Sequence, residues 1–193
     1  YPVEELTKRS FNGIDVALFS AGATRSLAFA PEAVRRGAIV VDNSSAFRMA
    51  EHVPLVVPEI NAHVLKHHEG LIANPNCSTI IMLLALAPLH EAGHLRRIIV
   101  STYQSVSGAG TRAVWQLVTE TREVLKRLGA QGSRFRMERV ARPSVPRSRA
   151  RVLPAQIGFN VIPQVDAFLE NRATKEERKM VDETRKILEE PDL

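Results

Sequence analysis

The strongest constraint on this chain is the way short, mainly apolar runs alternate with a helical pattern over residues 14–45. Ile14-Asp15-Val16-Ala17-Leu18-Phe19 reads as a strand running into the turn Ser20-Ala21-Gly22-Ala23-Thr24. Leu27 to Arg36 then reads as a helix closed by Gly37, and Ala38-Ile39-Val40-Val41 as a second strand ending in Asp42-Asn43-Ser44-Ser45. Strands that are apolar nearly throughout, joined by a crossover helix, belong to parallel sheets covered on both faces. Leu55-Val56-Val57 and Leu71-Ile72-Ala73 are further strands on this reading. The pattern changes after Cys77. Ile80 to His90 is apolar nearly all round and predicts a buried helix. Arg97 to Gln104 reads as a long strand, and Val114, Leu117, Val118, Thr121 and Leu125 fall at helical spacing. Ile157 to Ile162 reads as another strand, and Lys175 to Leu188 as a charged surface helix. The fold class expected is α/β, passing to α+β with a mixed sheet in the second part.

Composition removes several classes of function. With 45% hydrophobic and 24% charged residues the chain is globular rather than disordered or fibrous. The longest apolar stretch, Ile80 to Leu89, contains Pro88 and is about half what a bilayer-spanning helix needs, so no membrane partner is expected. The start, Tyr1-Pro2-Val3-Glu4-Glu5, lacks the basic end and apolar run of a signal peptide, and a cytoplasmic location is the expectation. A single cysteine excludes an internal disulfide and a multi-cysteine zinc site. The net charge of +5 suggests nucleic acid, but its distribution argues otherwise. Thr121 to Arg151 holds ten basic residues against two acids, a local +8 that leaves the remainder slightly acidic. Phe135 is the sole aromatic there, too few for a base-stacking surface, and Arg142-Pro143 and Val145-Pro146 read as extended chain. An arginine-rich surface insertion at about 130–152 fits better than a nucleic-acid partner.

The most informative stretch is Asn74-Pro75-Asn76-Cys77-Ser78-Thr79. Asn-Pro-Asn is turn chemistry, the residue before proline is held extended, and Ser78 and Thr79 lead into the apolar helix. Cys77 therefore falls in the first helical turn, where unpaired N–H groups and the positive end of the dipole stabilise negative charge. A thiolate there is a nucleophile, and the same N–H groups suit an oxyanion formed on an attacked carbonyl. The alternative is an inert buried cysteine, a common fate of this residue type.

In order along the chain stand Asp42-Asn43-Ser44-Ser45-Ala46-Phe47-Arg48, Val57-Pro58-Glu59-Ile60-Asn61, Ala73 through Thr79, and Ser101-Thr102-Tyr103-Gln104-Ser105-Val106-Ser107-Gly108-Ala109-Gly110. Phe159-Asn160-Val161-Ile162-Pro163 and Glu183-Thr184-Arg185-Lys186-Ile187-Leu188 follow. This ordered set resembles aspartate-semialdehyde dehydrogenase over nearly the whole chain except the arginine-rich insertion. The resemblance implies that residues 1–76 are part of a Rossmann-like NADP-binding domain, and residues 77–193 part of a catalytic and dimerisation domain. It implies reductive dephosphorylation of aspartyl phosphate with NADPH, on the route to lysine, threonine and methionine. Cys77 would form a thioacyl intermediate and Gln104 would hold it. Arg48, Asn76 and Lys186 would bind phosphate, and Glu183 the substrate ammonium. Ser20, Ala21, Gly22 and Asn43 would face the cofactor from one domain, Ser107 and Gly108 from the other. A homodimer or homotetramer is implied.

Two family features have no counterpart in this sequence: a glycine-rich phosphate turn before Ile14, and a catalytic histidine with a carboxylate-binding arginine beyond Leu193. The fragment alone is expected to show little dehydrogenase activity, and NADP is not distinguishable from NAD. All six histidines (His52, His63, His67, His68, His90, His94) lie in the first half, and no third ligand joins His90 and His94, so no metal is expected. The competing readings are N-acetyl-gamma-glutamyl-phosphate reductase, which shares the thiol chemistry, and a non-catalytic interaction module.

Overall fold

A computed structural model describes residues 3–129 and 152–193. It divides into two compact units, Tyr1–Val100 with Phe168–Leu193, and Ser101–Ala167. The arginine-rich insertion lies, apart from Val152, outside the described residues.

The first unit is built on three parallel strands in the order β1-β2-β3, Val16–Phe19, Ile39–Asp42 and Leu71–Ala73. Val16 pairs with Ile39 and Val40 with Leu71, so all three strands end at one edge. Helix α1 (Ala23–Arg35) makes the crossover between β1 and β2. It starts four residues earlier than its apolar periodicity suggests, because Gly22 takes φ 89 and its carbonyl accepts the Arg25 and Ser26 amides. Phe11, Ala17, Phe19, Ala30, Ala33, Val40, Leu55, Leu71, Leu83 and Ile187 form the core. The sheet is parallel as expected, but among the described residues only one face is covered. Ala17 and Phe19 point into the core, whereas Leu18, on the opposite face, is 80% exposed.

Leu55–Val57 does not form a strand. One parallel bridge joins Leu55 to Ala73, and the Val57 amide donates instead to Asn61 Oδ1 (2.8 Å), opening the short helix α2 (Pro58–Asn61). Prolines at 54 and 58 remove the ladder donors on either side. Helix α3 (Cys77–Gly93) was expected to be buried all round. It buries one stripe, Thr79, Leu83 and Ala87 at i, i+4, i+8, and leaves Ile81 and Leu89 exposed.

Helix α5 (Lys175–Leu188) keeps its expected limits because both ends are specified locally; α4 (Thr111–Gly129) belongs to the second unit. Thr174 and Glu177 form a reciprocal capping box: Thr174 Oγ1 accepts from Glu177 N (3.2 Å) and the Glu177 carboxylate from Thr174 N. The Thr174 amide, with help from its hydroxyl, holds the Glu177 carboxyl below its ordinary pKa. A depressed acid stabilises the fold above its unfolded pKa, and that contribution is lost as pH falls through the lower folded value. Thr174→Ala is expected to cost about 1 kcal/mol in urea unfolding at neutral pH. Its deficit against the parent should shrink on acidification; an unchanged deficit at low pH would count against the box.

In the second unit α4 packs on the 3-10 turn Val106–Ala109 and holds residues 152–158 by side chains. Gln116 Oε1 accepts from Val152 N (2.8 Å) and Leu153 N (3.0 Å), and Glu120 Oε2 from Ile157 N (2.7 Å) and Gly158 N (3.0 Å). This corrects the strand expected at Ile157–Ile162: its leading amides are taken by α4, and Phe159 turns the chain at φ 55. Arg97–Gln104 is likewise not a strand, since its backbone finds no ladder partner among the described residues. The mixed sheet is therefore not formed among them, and the α/β class rests on the first unit.

Candidate active site

Parallel strands bring their carboxyl ends to one edge of the sheet, where the loops after β1, β2 and β3 carry Ser20, Asn43 and Asn74. These three are linked side by side. Asn43 Nδ2 donates to Ser20 Oγ (3.4 Å), and Asn74 Nδ2 donates to Asn43 Oδ1 (2.8 Å). Asp42, fully buried at the end of β2, sets the geometry of its loop. Its Oδ1 accepts from Ser26 Oγ (2.8 Å) and Ser44 N (2.9 Å), and its Oδ2 from Ser44 Oγ (2.8 Å). The sequence shows Asp42 and Ser44 in the strand-end turn without a role for either, and does not single out Ser26. An Asp two residues before a serine at a strand end is an Asx-turn signal that could have supplied that role.

The turn fixed by Asp42 delivers Arg48, which is 8% exposed. Its Nε donates to Asn74 O (2.9 Å), Nη2 to Asn43 O (3.0 Å) and Nη1 to Glu183 Oε1 (3.0 Å). Glu183, on α5 and 2% exposed, uses its other oxygen to accept from Asn76 N (2.6 Å). One carboxylate thus joins the Arg48 loop to the turn before Cys77. Asn76 caps α3, its Oδ1 accepting from Ser78 N (2.8 Å) and Thr79 N (3.4 Å), while its Nδ2 donates to Glu176 Oε1 (2.8 Å). Cys77 is the first residue of α3 and its side chain is exposed, not sunk in the core.

Ser20, Asn43, Arg48, Asn76 and Glu183 are therefore joined in one hydrogen-bonded tract along the sheet edge, and Cys77 follows Asn76 in the chain. Lys186 is engaged with backbone carbonyls. Its Nζ donates to the carbonyls of Arg48 (2.9 Å), Ala50 (2.7 Å) and Val53 (2.9 Å), which uses all three ammonium protons. Burial pushes its pKa below the usual lysine value. As placed, Lys186 clamps the 48–53 loop onto α5, and reaching a phosphate requires it to release a carbonyl. Glu183 has both oxygens occupied in the same way, so an ammonium would have to displace Arg48 or the Asn76 amide. Gln104, Ser107 and Gly108 belong to the second unit, where Ser105 Oγ accepts from Ser107 N (3.4 Å).

The turn Ser20-Ala21-Gly22 fits a nucleotide group. Gly22 has open space where a Cβ would stand, and as the N-cap of α1 it places no side chain over the first helical N–H groups.

Comparison with known proteins gives a consistent picture. Residues 1–68 match the family model "Semialdehyde dehydrogenase, NAD binding domain", and residues 86–192 match "Semialdehyde dehydrogenase, dimerisation domain". Aspartate-semialdehyde dehydrogenase of Bacillus subtilis is 50% identical over 99% of this chain and 52% of its own length. That of Aquifex aeolicus is 44% identical over 100% and 53%. The crystal structure of aspartate semialdehyde dehydrogenase II from Vibrio cholerae superposes with a TM-score of 0.77 at 42% identity, covering 94% of this chain and 50% of that one. The chain spans about half the length of the curated relatives it matches.

Proposed function

This chain belongs to the aspartate-semialdehyde dehydrogenase family, and from that premise we propose that the whole protein interconverts L-aspartyl 4-phosphate and L-aspartate 4-semialdehyde with NADP, in lysine, threonine and methionine biosynthesis. The observation that carries the reading is Cys77, exposed at the start of α3 and held beside the Arg48–Glu183 pair through the Asn76 amide. In the reductive direction the Cys77 sulfur attacks the acyl phosphate carbonyl; the C–S bond forms, the C–O bond to phosphate breaks, and a thioester remains. The positive end of the α3 dipole favours the oxygen that becomes negative in this step, while the Ser78 and Thr79 amides are held by Asn76 Oδ1. Arg48 has N–H groups beyond the three it uses and a planar fork suited to the departing phosphate, with Asn76 beside it.

When bound, the nicotinamide group supplies the hydride that reduces the thioester to the aldehyde and frees the sulfur. Ser20, Ala21, Gly22 and Asn43 would hold that group from the sheet edge, and the resemblance assigns Ser107 and Gly108 to the same group. Gln104 would orient the acyl carbonyl, and Glu183 and Lys186 would turn to substrate after exchanging a present partner. The protein would work as a homodimer or homotetramer in the cytoplasm; its match to a dimerisation domain supports self-association. Among the described residues no helix is long and apolar enough to cross a membrane.

The test uses full-length protein with aspartate semialdehyde and NADP, following absorbance of the reduced cofactor with and without inorganic phosphate. Phosphate-dependent turnover is expected, with little on N-acetylglutamate semialdehyde. Turnover that ignores phosphate, or prefers the acetylated substrate, overturns the assignment.

A further inference from the structure

We propose that His90, His94 and Glu190 form a binding site for a divalent cation of the zinc class, tying the C-terminal ends of α3 and α5 together. His90, in the last turn of α3, and His94, the residue that caps it, have ring centroids 5.7 Å apart. The third ligand that the sequence does not reveal comes from 96 residues further along, after α5. Both helices stop on a left-handed residue, His94 at φ 48 and Glu189 at φ 57. The His94 amide donates to His90 O (2.8 Å) and the Glu190 amide to Arg185 O (3.0 Å), so the two caps are closed side by side.

His90 Nε2 lies 3.3 Å from Glu190 Oε1, and one ligand atom of each of the three residues lies within 4.8 Å of the others. Ligands about 2.0–2.2 Å from a tetrahedral zinc stand roughly 3.3–3.5 Å apart, so the first pair is already at that separation. Exposed His94 has to close by about 1–1.5 Å, within reach of a side-chain rotation. Two imidazoles and a carboxylate form a three-ligand set that leaves one position for water and selects zinc, cobalt, nickel or copper over magnesium. The negative ends of two helix dipoles meet there, which favours a cation further. Cys77 is at the opposite end of the 17-residue helix, about 24 Å away along its axis.

Without metal, His90 Nδ1 accepts from the Leu95 amide (3.2 Å), which leaves the ring proton on Nε2, facing Glu190. A metal bond at Nε2 requires that proton to leave and Nδ1 to become protonated, so the Leu95 amide must lose its acceptor. Loading therefore has a signature that adventitious binding elsewhere lacks.

The experiment titrates Zn²⁺ and Co²⁺ into purified protein carrying Cys77→Ser, which removes the competing thiol, with Mg²⁺ as control. Expected are one Zn²⁺ or Co²⁺ per chain, tetrahedral Co²⁺ absorption, a displaced Leu95 amide resonance, and no response to Mg²⁺. His90→Ala, His94→Ala and Glu190→Gln should each weaken binding by at least about tenfold. No stoichiometric binding up to millimolar zinc, binding indifferent to all three substitutions, or a Leu95 amide that does not move on loading would each overturn the proposal.

Discussion

Cys77→Ser in the full-length protein is expected to lower kcat by about 10³-fold or more while leaving thermal unfolding within about 1 °C of the parent. The two halves of that expectation have separate physical origins. The side chain is exposed, so exchanging sulfur for oxygen opens no cavity. Asn76 rather than Cys77 caps the helix, so α3 keeps its first-turn bonds. The chemistry, by contrast, needs an atom that attacks an acyl phosphate and then leaves from a hydride adduct. A hydroxyl without an adjacent base does the first poorly and, as an oxygen ester, resists reduction. The measurement pairs phosphate-dependent cofactor reduction with a thermal scan. Residual activity within tenfold of the parent would exclude Cys77 as the nucleophile, and a large loss of melting temperature would show that the side chain is structural.

What was readable in advance follows from how local each feature is. The Asn76 cap that opens α3 and both ends of α5 are specified by neighbours within four residues, and they stand where the residues put them. The β1-α1-β2 crossover was readable for the same reason. Strands at 97–104 and 157–162 were not, because apolar alternation says which side chains share a face and nothing of who donates to the backbone. Glu120 and Gln116 answer that question for 152–158 from a helix more than thirty residues away. Arg48 and Glu183 are 135 residues apart, and each alone is an ordinary charged residue. Only the fold shows that one carboxylate joins the loop after β2 to the turn before Cys77. His90, His94 and Glu190 repeat the lesson: a histidine pair without a third ligand reads as a surface helix end until α5 closes beside it.

Glu183→Ala is expected to be the most destabilising single change in the first unit, by about 3–5 kcal/mol. The carboxylate is 2% exposed and serves two donors, so its removal leaves the Arg48 guanidinium buried without a counter-charge and the Asn76 amide without an acceptor. For a domain of this size each kcal/mol is worth about 2–4 °C, so the melting temperature should fall by roughly 10 °C. Arg48→Met should cost a similar amount by leaving the carboxylate unpaired. The double variant Arg48→Met, Glu183→Leu removes both charges together and should recover much of the loss, because well-packed apolar groups replace a buried ion pair at little cost. Lys186 would still hold the carbonyls of Arg48, Ala50 and Val53, so the loop keeps one anchor to α5. Recovered stability with no recovered phosphate-dependent turnover would separate the structural part of the pair from its place at the site. Single losses that simply add in the double variant would mean that Arg48 and Glu183 stabilise the fold independently, and the link between the two loops would have to lie elsewhere.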